Sequence, residues 1–138
     1  MSIEKNKKVI TVGVFDFFHL GHLNLLEAAK MQGDYLIVAV HNDTLNIKGV
    51  DFLYSLEDRM RFVRSIKCVD EVVSYERVDT LLPDVDFDIF AHGPDQNHQY
   101  FQNAFEWCNN NNKKIITLQR TEGISSTRLR NFLQNYEI

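Results

Sequence analysis

Residues 9 to 22 read Val9-Ile10-Thr11-Val12-Gly13-Val14-Phe15-Asp16-Phe17-Phe18-His19-Leu20-Gly21-His22. The apolar run Val9 to Phe15 is of the kind buried in a parallel sheet, and a helical pattern begins near Gly21. Between them lies a strand-to-helix turn. The first N–H groups of a helix have no partner within it, and the aligned peptide dipoles leave a positive end there. Such a terminus favours phosphate oxygens. His19 and His22, on either side of Leu20 and Gly21, add imidazole donors aimed at the same anion. The turn therefore suits a nucleoside triphosphate. Two readings compete with this one: either histidine can be an ordinary cap or core group, and the pair can supply two zinc ligands. A zinc site needs further ligands, and His41, His92, His98, Cys68 and Cys108 show no CxxC or HExxH spacing.

Outward from that stretch the chain alternates. Val9–Phe15, Tyr35–Val40, Glu71–Val73, Phe87–His92 and Lys114–Leu118 are short apolar runs, with helical patterns near 21–32, 56–67, 98–111 and 125–136 between and after them. Five strands with intervening helices predict an α/β fold, a Rossmann-like doubly wound parallel sheet forming one domain over residues 1–138. Ligand is then expected at the carboxyl ends of the strands, where their order reverses. Ser55 is the expected N-cap of the second helix, with Asp58 as its partner in a variant capping box. The tract Asn109 to Asn112 is expected to turn from helix to strand.

A second motif follows the last strand: Arg120-Thr121-Glu122-Gly123-Ile124-Ser125-Ser126-Thr127, then Arg128 and Arg130. Arg120 supplies a planar fork that matches phosphate geometry. Gly123 lets the loop approach a ligand closely. Ser125 or Ser126 caps the next helix, and the hydroxyl and N–H groups of Ser125, Ser126 and Thr127 form a second anion cradle. The competing reading is a plain helix cap beside a surface arginine.

Taken together, the two motifs resemble the cytidylyltransferase family of the nucleotidyltransferases, with its GxFDxxHxGH and RTEGIS(S/T)T signatures, here about 100 residues apart. Chain length and the phrase Gly33-Asp34-Tyr35-Leu36-Ile37-Val38-Ala39-Val40 are most similar to the small glycerol-3-phosphate cytidylyltransferases. The resemblance implies transfer of CMP from CTP to a small phosphorylated metabolite, with pyrophosphate released. It implies nucleotide contacts from Gly13, Val14, Phe15, Asp16, His19, Gly21, His22, His92, Gly93, Asp95, Arg120, Thr121, Gly123, Ile124, Ser125, Ser126 and Thr127. His19, His22, Arg120 and Lys48 would be catalytic; Lys48, Arg59, Lys67 and Gln96 would hold the acceptor. Lys67 stands where the glycerol-type enzymes have an arginine. Mg²⁺ is expected, bound mainly through the CTP phosphates, with Asp16 as a nearby carboxylate. A homodimer is implied, as are roles in making precursors of cell-surface polysaccharide or phospholipid.

One departure falls where the acceptor should sit. The glycerol-type pattern has Gly-Asp-Asp-Trp after the fourth strand; this chain has Gly93-Pro94-Asp95-Gln96. Without the tryptophan wall, and with Gln96, His98 and Tyr100 close in sequence, the acceptor is expected to differ from glycerol 3-phosphate and to carry a more polar tail. Two other functions stay open: an adenylyltransferase of the same superfamily acting on a flavin or pantetheine phosphate, and a non-catalytic nucleotide-binding protein.

Composition fits this picture. A net charge of −4 argues against general nucleic-acid binding, so basic sites must be local. No apolar run approaches the ~18–20 residues of a membrane span, and the polar stretch Met1 to Lys8 carries no signal-peptide core, so a cytoplasmic location is expected. Two cysteines far apart in sequence are expected to be reduced packing groups.

Overall fold

The computed structural model describes residues 6–42 and 52–135. Five strands form one sheet: β1 (Lys8–Gly13), β2 (Tyr35–His41), β3 (Glu71–Tyr75), β4 (Ile89–His92) and β5 (Lys114–Thr117). Every pairing is parallel, and the order is β3-β2-β1-β4-β5. The chain winds outward from β1 through α1 (Leu20–Lys30), β2 and α2 (Leu56–Arg64) to β3. It then returns through α3 (Val78–Leu81) and a 3₁₀ turn (Leu82–Asp84) to place β4 on the other side of β1. After α4 (Gln99–Asn110) and β5, α5 (Ser126–Gln134) closes the fold. The order reverses between β1 and β4, and a doubly wound sheet binds its ligands at that point.

Both faces of the sheet are covered, which explains the unbroken apolar runs. Val9, Leu36, Val38, Val40, Ile89 and Ala91 pack with Leu26 and Ala29 of α1 and Val63 of α2. Ile10, Val12, Ile37, Ala39 and Phe90 point the other way, onto Val78, Phe101, Ala104 and Cys108 of α3 and α4. The period-two alternation of side chains assigns each strand residue to one layer or the other. Phe101 is core, and Phe105 and Trp107 pack against it partly buried. Both cysteines are free, and burial pushes the Cys108 thiol up to about 11, as befits an inert packing group.

Differences from the sequence expectation have local causes. β1 ends at Gly13 because Phe15 takes a φ of +58°, which no strand accommodates. The single-turn α3 has no room to show a helical period, and Pro83 at its end hides it further. Ser55 caps α2, its Oγ accepting from the Asp58 N–H at 3.1 Å. Asn112, with φ +58°, makes the turn after α4, a conformation asparagine tolerates better than most residues. Among the described residues no helix is long and apolar enough to cross a membrane.

Gly33, in the α1–β2 turn, lies against the chain entering β1. A Cβ there would stand 2.5 Å from the Lys7 carbonyl oxygen, a backbone atom that cannot swing aside. Gly33→Ala is expected to lower unfolding free energy by about 1–3 kcal/mol, the usual scale of overpacking. Urea denaturation followed by circular dichroism measures it, and an unchanged midpoint would show that the turn yields.

Candidate active site

A cleft of about 480 Å³ opens over the carboxyl ends of β1 and β4. Its walls are the turn after β1, the N-terminus of α1, the loop after β4, and the loop from β5 into α5. The two motifs thus meet in space, as their shared position at strand ends requires.

The histidines are held by a reciprocal cap. The Gly21 N–H donates to His19 Nδ1 at 3.0 Å, and the His19 N–H donates to His22 Nδ1 at 3.1 Å. A ring nitrogen that accepts from an N–H carries no proton, so both neutral rings carry theirs on Nε2. The rings stack, with centroids 3.9 Å apart. Burial holds His19 below the ordinary histidine value of 6.5, favouring the neutral Nε2–H donor. Gly21 is required by this arrangement: a Cβ there would sit 2.8 Å from His19 Cε1.

Asp16 anchors the turn. Its carboxylate accepts from the Leu53 N–H at 2.7 Å, the Tyr54 N–H at 3.0 Å and Arg130 at 3.0 Å, while its carbonyl accepts from Ser126 Oγ at 2.9 Å. Both carboxylate oxygens are therefore engaged, so Asp16 serves as a structural anchor, and a metal-binding role would require breaking these bonds. Among the described residues no three His, Cys, Asp or Glu side chains gather as a metal-holding group. Phe15 and Phe17, on either side of Asp16, both have positive φ, +58° and +50°.

Across the cleft, Ser125 caps α5, its Oγ accepting from the Arg128 N–H at 3.0 Å. Thr121 accepts from Asn24 Nδ2 at 3.0 Å, tying the loop to α1. Gly123 takes φ +80° and turns the loop without lining the cleft. Arg120 reaches Asp95 at 2.7 Å; both are largely exposed, and such a pair contributes little.

Gly13, Val14, Phe15, Asp16, His19, Gly21, His22, Gly93, Asp95, Arg120, Thr121, Ile124, Ser125, Ser126 and Thr127 all line the cleft. His92 does not: its buried ring lies beneath, Nδ1 2.8 Å from the Gly93 oxygen and Nε2 3.1 Å from Thr117 Oγ1. A carbonyl only accepts, so here the proton is on Nδ1, the opposite tautomer to His19 and His22.

The acceptor residues separate. Lys48 lies outside the described residues. Arg59 is 0% exposed; its guanidinium donates to the carbonyls of Tyr54, Val14 and His41 and sits 4.8 Å from the Phe52 ring centre. It joins the ends of β1 and β2 to the 52–54 segment rather than facing the cleft. Lys67 is exposed after α2 and is not among the lining residues. Gln96 lines the cleft, but its Nε2 donates to Val12 O at 2.9 Å and its Oε1 accepts from Gly93 N–H at 3.0 Å. His98 caps α4, and Tyr100 packs on the core under Arg77. The polar acceptor tail expected from these three has no support in their placement. Leu25, Phe52, Gln119 and Arg130 also line the cleft, although none was assigned a site role from the sequence. Only Arg130 had a signal, as the second arginine after the serine cap.

The parallel sheet, the switch-point cleft and the paired helix N-termini define a nucleotide-binding α/β protein. A family model described as cytidylyltransferase-like matches residues 10–132, and the chain belongs to that family. Glycerol-3-phosphate cytidylyltransferase of Bacillus subtilis (strain 168) is 38% identical over 128 residues, covering 90% of this chain and 95% of that one. An FAD synthase of Thermococcus sibiricus (strain DSM 12597 / MM 739) is 42% identical over 106 residues, 70% of this chain and 69% of that one. The crystal structure of the lipopolysaccharide core biosynthesis protein from Thermoplasma volcanium GSS1 matches with a TM-score of 0.70 at 25% identity, covering 83% of this chain and 96% of that chain.

The cap makes a prediction about protonation. A His19 value lowered in the folded chain means that the unfolded chain binds the proton first as pH falls. The stability linked to this ring is whole above the unfolded value near 6.5 and is lost as pH falls through the lower folded value. Nitrogen-15 NMR of the histidine rings should show His19 and His22 as Nε2–H tautomers at neutral pH and His19 titrating below 6.5. A His19 ring protonated on Nδ1 at neutral pH would contradict the cap.

Proposed function

We propose that this protein transfers CMP from CTP to a phosphate monoester, releasing pyrophosphate. The observation that carries the reading is the pair of imidazoles fixed as Nε2–H tautomers at the N-terminus of α1, in the cleft that the Arg120–Thr127 motif also lines. The 90% coverage shared with a named cytidylyltransferase supports CTP as donor. The shorter match to an FAD synthase supports adenylyl transfer as the second reading.

The acceptor's phosphate oxygen attacks the α-phosphorus of CTP, and the bond to the bridging oxygen of the leaving pyrophosphate breaks. A phosphate monoester is already an anion at neutral pH, so no general base is needed. Catalysis then rests on positioning and on donors placed where charge grows. His19 and His22 donate to the α-phosphoryl oxygens and the leaving group. Arg120 exchanges its weak pairing with Asp95 for the β- and γ-phosphates, beside the N–H groups that begin α5. Backbone of Gly13 to Phe15 and the loop after His92 frame the base. Asp16 is committed to Leu53, Tyr54 and Arg130, so no carboxylate of the turn would be free to hold Mg²⁺ directly; bound together with the triphosphate, the ion would supply charge neutralisation.

Calorimetric titration with CTP, ATP, GTP and UTP tests the donor, with CTP expected to bind tightest; tighter ATP binding favours the second reading. His19→Ala and His22→Ala are each expected to lower kcat by roughly 10²-fold, with smaller changes in CTP affinity, as for donors acting mainly in the transition state. Circular dichroism establishes that each variant is folded. A folded variant with near-full kcat would reduce that histidine to a helix cap.

The proposal extends to a homodimer. Leu20 and Met31 at the ends of α1, and Phe62 on α2, are large apolar side chains left exposed on the α1–α2 side. Sedimentation velocity at micromolar concentration should show a species of twice the chain mass, and a single monomeric boundary rejects the pairing.

A further inference from the structure

The transfer mechanism leaves Gln96 without a role, yet its amide bridges the two strands that part at the cleft. The pairing of β1 with β4 runs through Val9–Ile89 and Ile10–Phe90 and stops there, before either strand ends. Counted on at the same offset, Gly13 would face Gly93. The opening between such strands is where a doubly wound sheet takes its ligand. Gln96 spans it: Nε2 donates to the Val12 carbonyl at 2.9 Å, and Oε1 accepts from the Gly93 N–H at 3.0 Å. A side-chain amide carries the same donor and acceptor as a peptide group, so one residue ties the strands where their own ladder has ended. The partners also fix which way the amide points, since a carbonyl only accepts and an N–H only donates.

The turn Gly93-Pro94-Asp95-Gln96 brings the side chain there. The Gln96 N–H closes it on the Gly93 carbonyl at 3.3 Å, and Pro94 holds the second position, where its fixed φ is favoured. His92 Nδ1 meets the same carbonyl at 2.8 Å. Gly93 is thus engaged at its N–H and at its carbonyl. It lines the cleft, its φ is not left-handed, and a Cβ on it would meet only Leu25 Cδ1 at 3.8 Å and Gln96 Oε1 at 3.9 Å, which are ordinary contacts. The fold would therefore accept a side chain at 93. Both of those neighbours line the cleft, so the space a Cβ would fill is the cleft's own. A glycine that the backbone does not need leaves room for a close approach from outside the chain.

We infer that Gln96 is a positioning residue for the donor nucleotide. It sets the gap between the ends of β1 and β4 and holds the bare face of Gly93 toward the nucleoside that lies between them. The inference rests on the transfer reading above, in which these same two segments frame the base. It also gives the Gly-Pro-Asp-Gln step, which departs from the glycerol-type pattern, a role on the donor side rather than at the acceptor.

Calorimetric titration of three variants with CTP tests this, each variant first checked as folded by circular dichroism. Gln96→Met keeps the length of the side chain and loses both hydrogen bonds; it should weaken CTP binding by about tenfold, the scale of one or two such bonds. Gly93→Ala should match the parent in urea denaturation and still bind CTP about tenfold more weakly or worse, because the added methyl occupies the nucleoside's place. Gly33→Ala, which loosens the fold at the amino ends of the strands, should bind CTP as the parent does. A glutamine with only a structural role would lower the urea midpoint and leave the affinity of the folded chain unchanged, and that result for Gln96→Met overturns the inference. So does full CTP affinity in Gly93→Ala. A loss in Gly33→Ala equal to that in Gln96→Met overturns it too, since general loosening would then be the cause. If the parent binds ATP more tightly than CTP, the CTP reading fails, and the same three comparisons made with ATP decide the role of Gln96. A parent that binds neither nucleotide ends both readings.

Discussion

Asp16 is 1% exposed, and a carboxylate that far from water is costly unless every lone pair is used. Here three donors converge on it: two backbone N–H groups from residues 53 and 54, and the Arg130 guanidinium from α5. Its own carbonyl takes the Ser126 hydroxyl. One residue therefore joins the β1 turn, the segment before α2 and the start of α5, three pieces distant in sequence. The same bonds hold the two left-handed phenylalanines beside it, each of which costs about 1–3 kcal/mol when unsupported. Without the Asp16 carboxylate, the turn that leads to His19 loses its ties to residues 53 and 54 and to Arg130.

Tautomers carry the next level of organisation. His19 and His22 are locked with the proton on Nε2 because backbone N–H groups occupy Nδ1. His92, under the cleft, is locked the other way by a carbonyl. The same side chain thus serves as a donor fixed at the cleft in one case and as a brace between β4 and β5 in the other. The difference lies in the backbone group each meets first.

The sheet and its helices were legible because a parallel strand covered on both faces leaves a continuous apolar run, and each helix carries its own cap. The two strand-to-helix turns were legible because Gly21 and the serine cap have local backbone reasons to be where they are. Arg59 was not, since nothing in its own neighbourhood shows that Val14 and His41 will present carbonyls to it from two other strands. Gln96 likewise looked like a recognition residue, and in the fold its amide links Val12 to Gly93. His92 went the same way. In each case at least one contact of the side chain reaches another element, to Val14 and His41, to Val12 or to Thr117, and no local window of sequence contains that partner.

A chain with net charge −4 that must gather anionic substrates cannot do so by overall attraction. It does so by concentrating fixed positive potential. The N-termini of α1 and α5 open on one cleft, and Arg120 and Arg130 stand on its walls. Helix dipoles and short-range donors act within about a turn, so they attract strongly only what has already entered. Small ligands meet that condition. The charge pattern and the fold thus select for the same thing: a compact phosphate compound at the switch point, held by backbone and arginine.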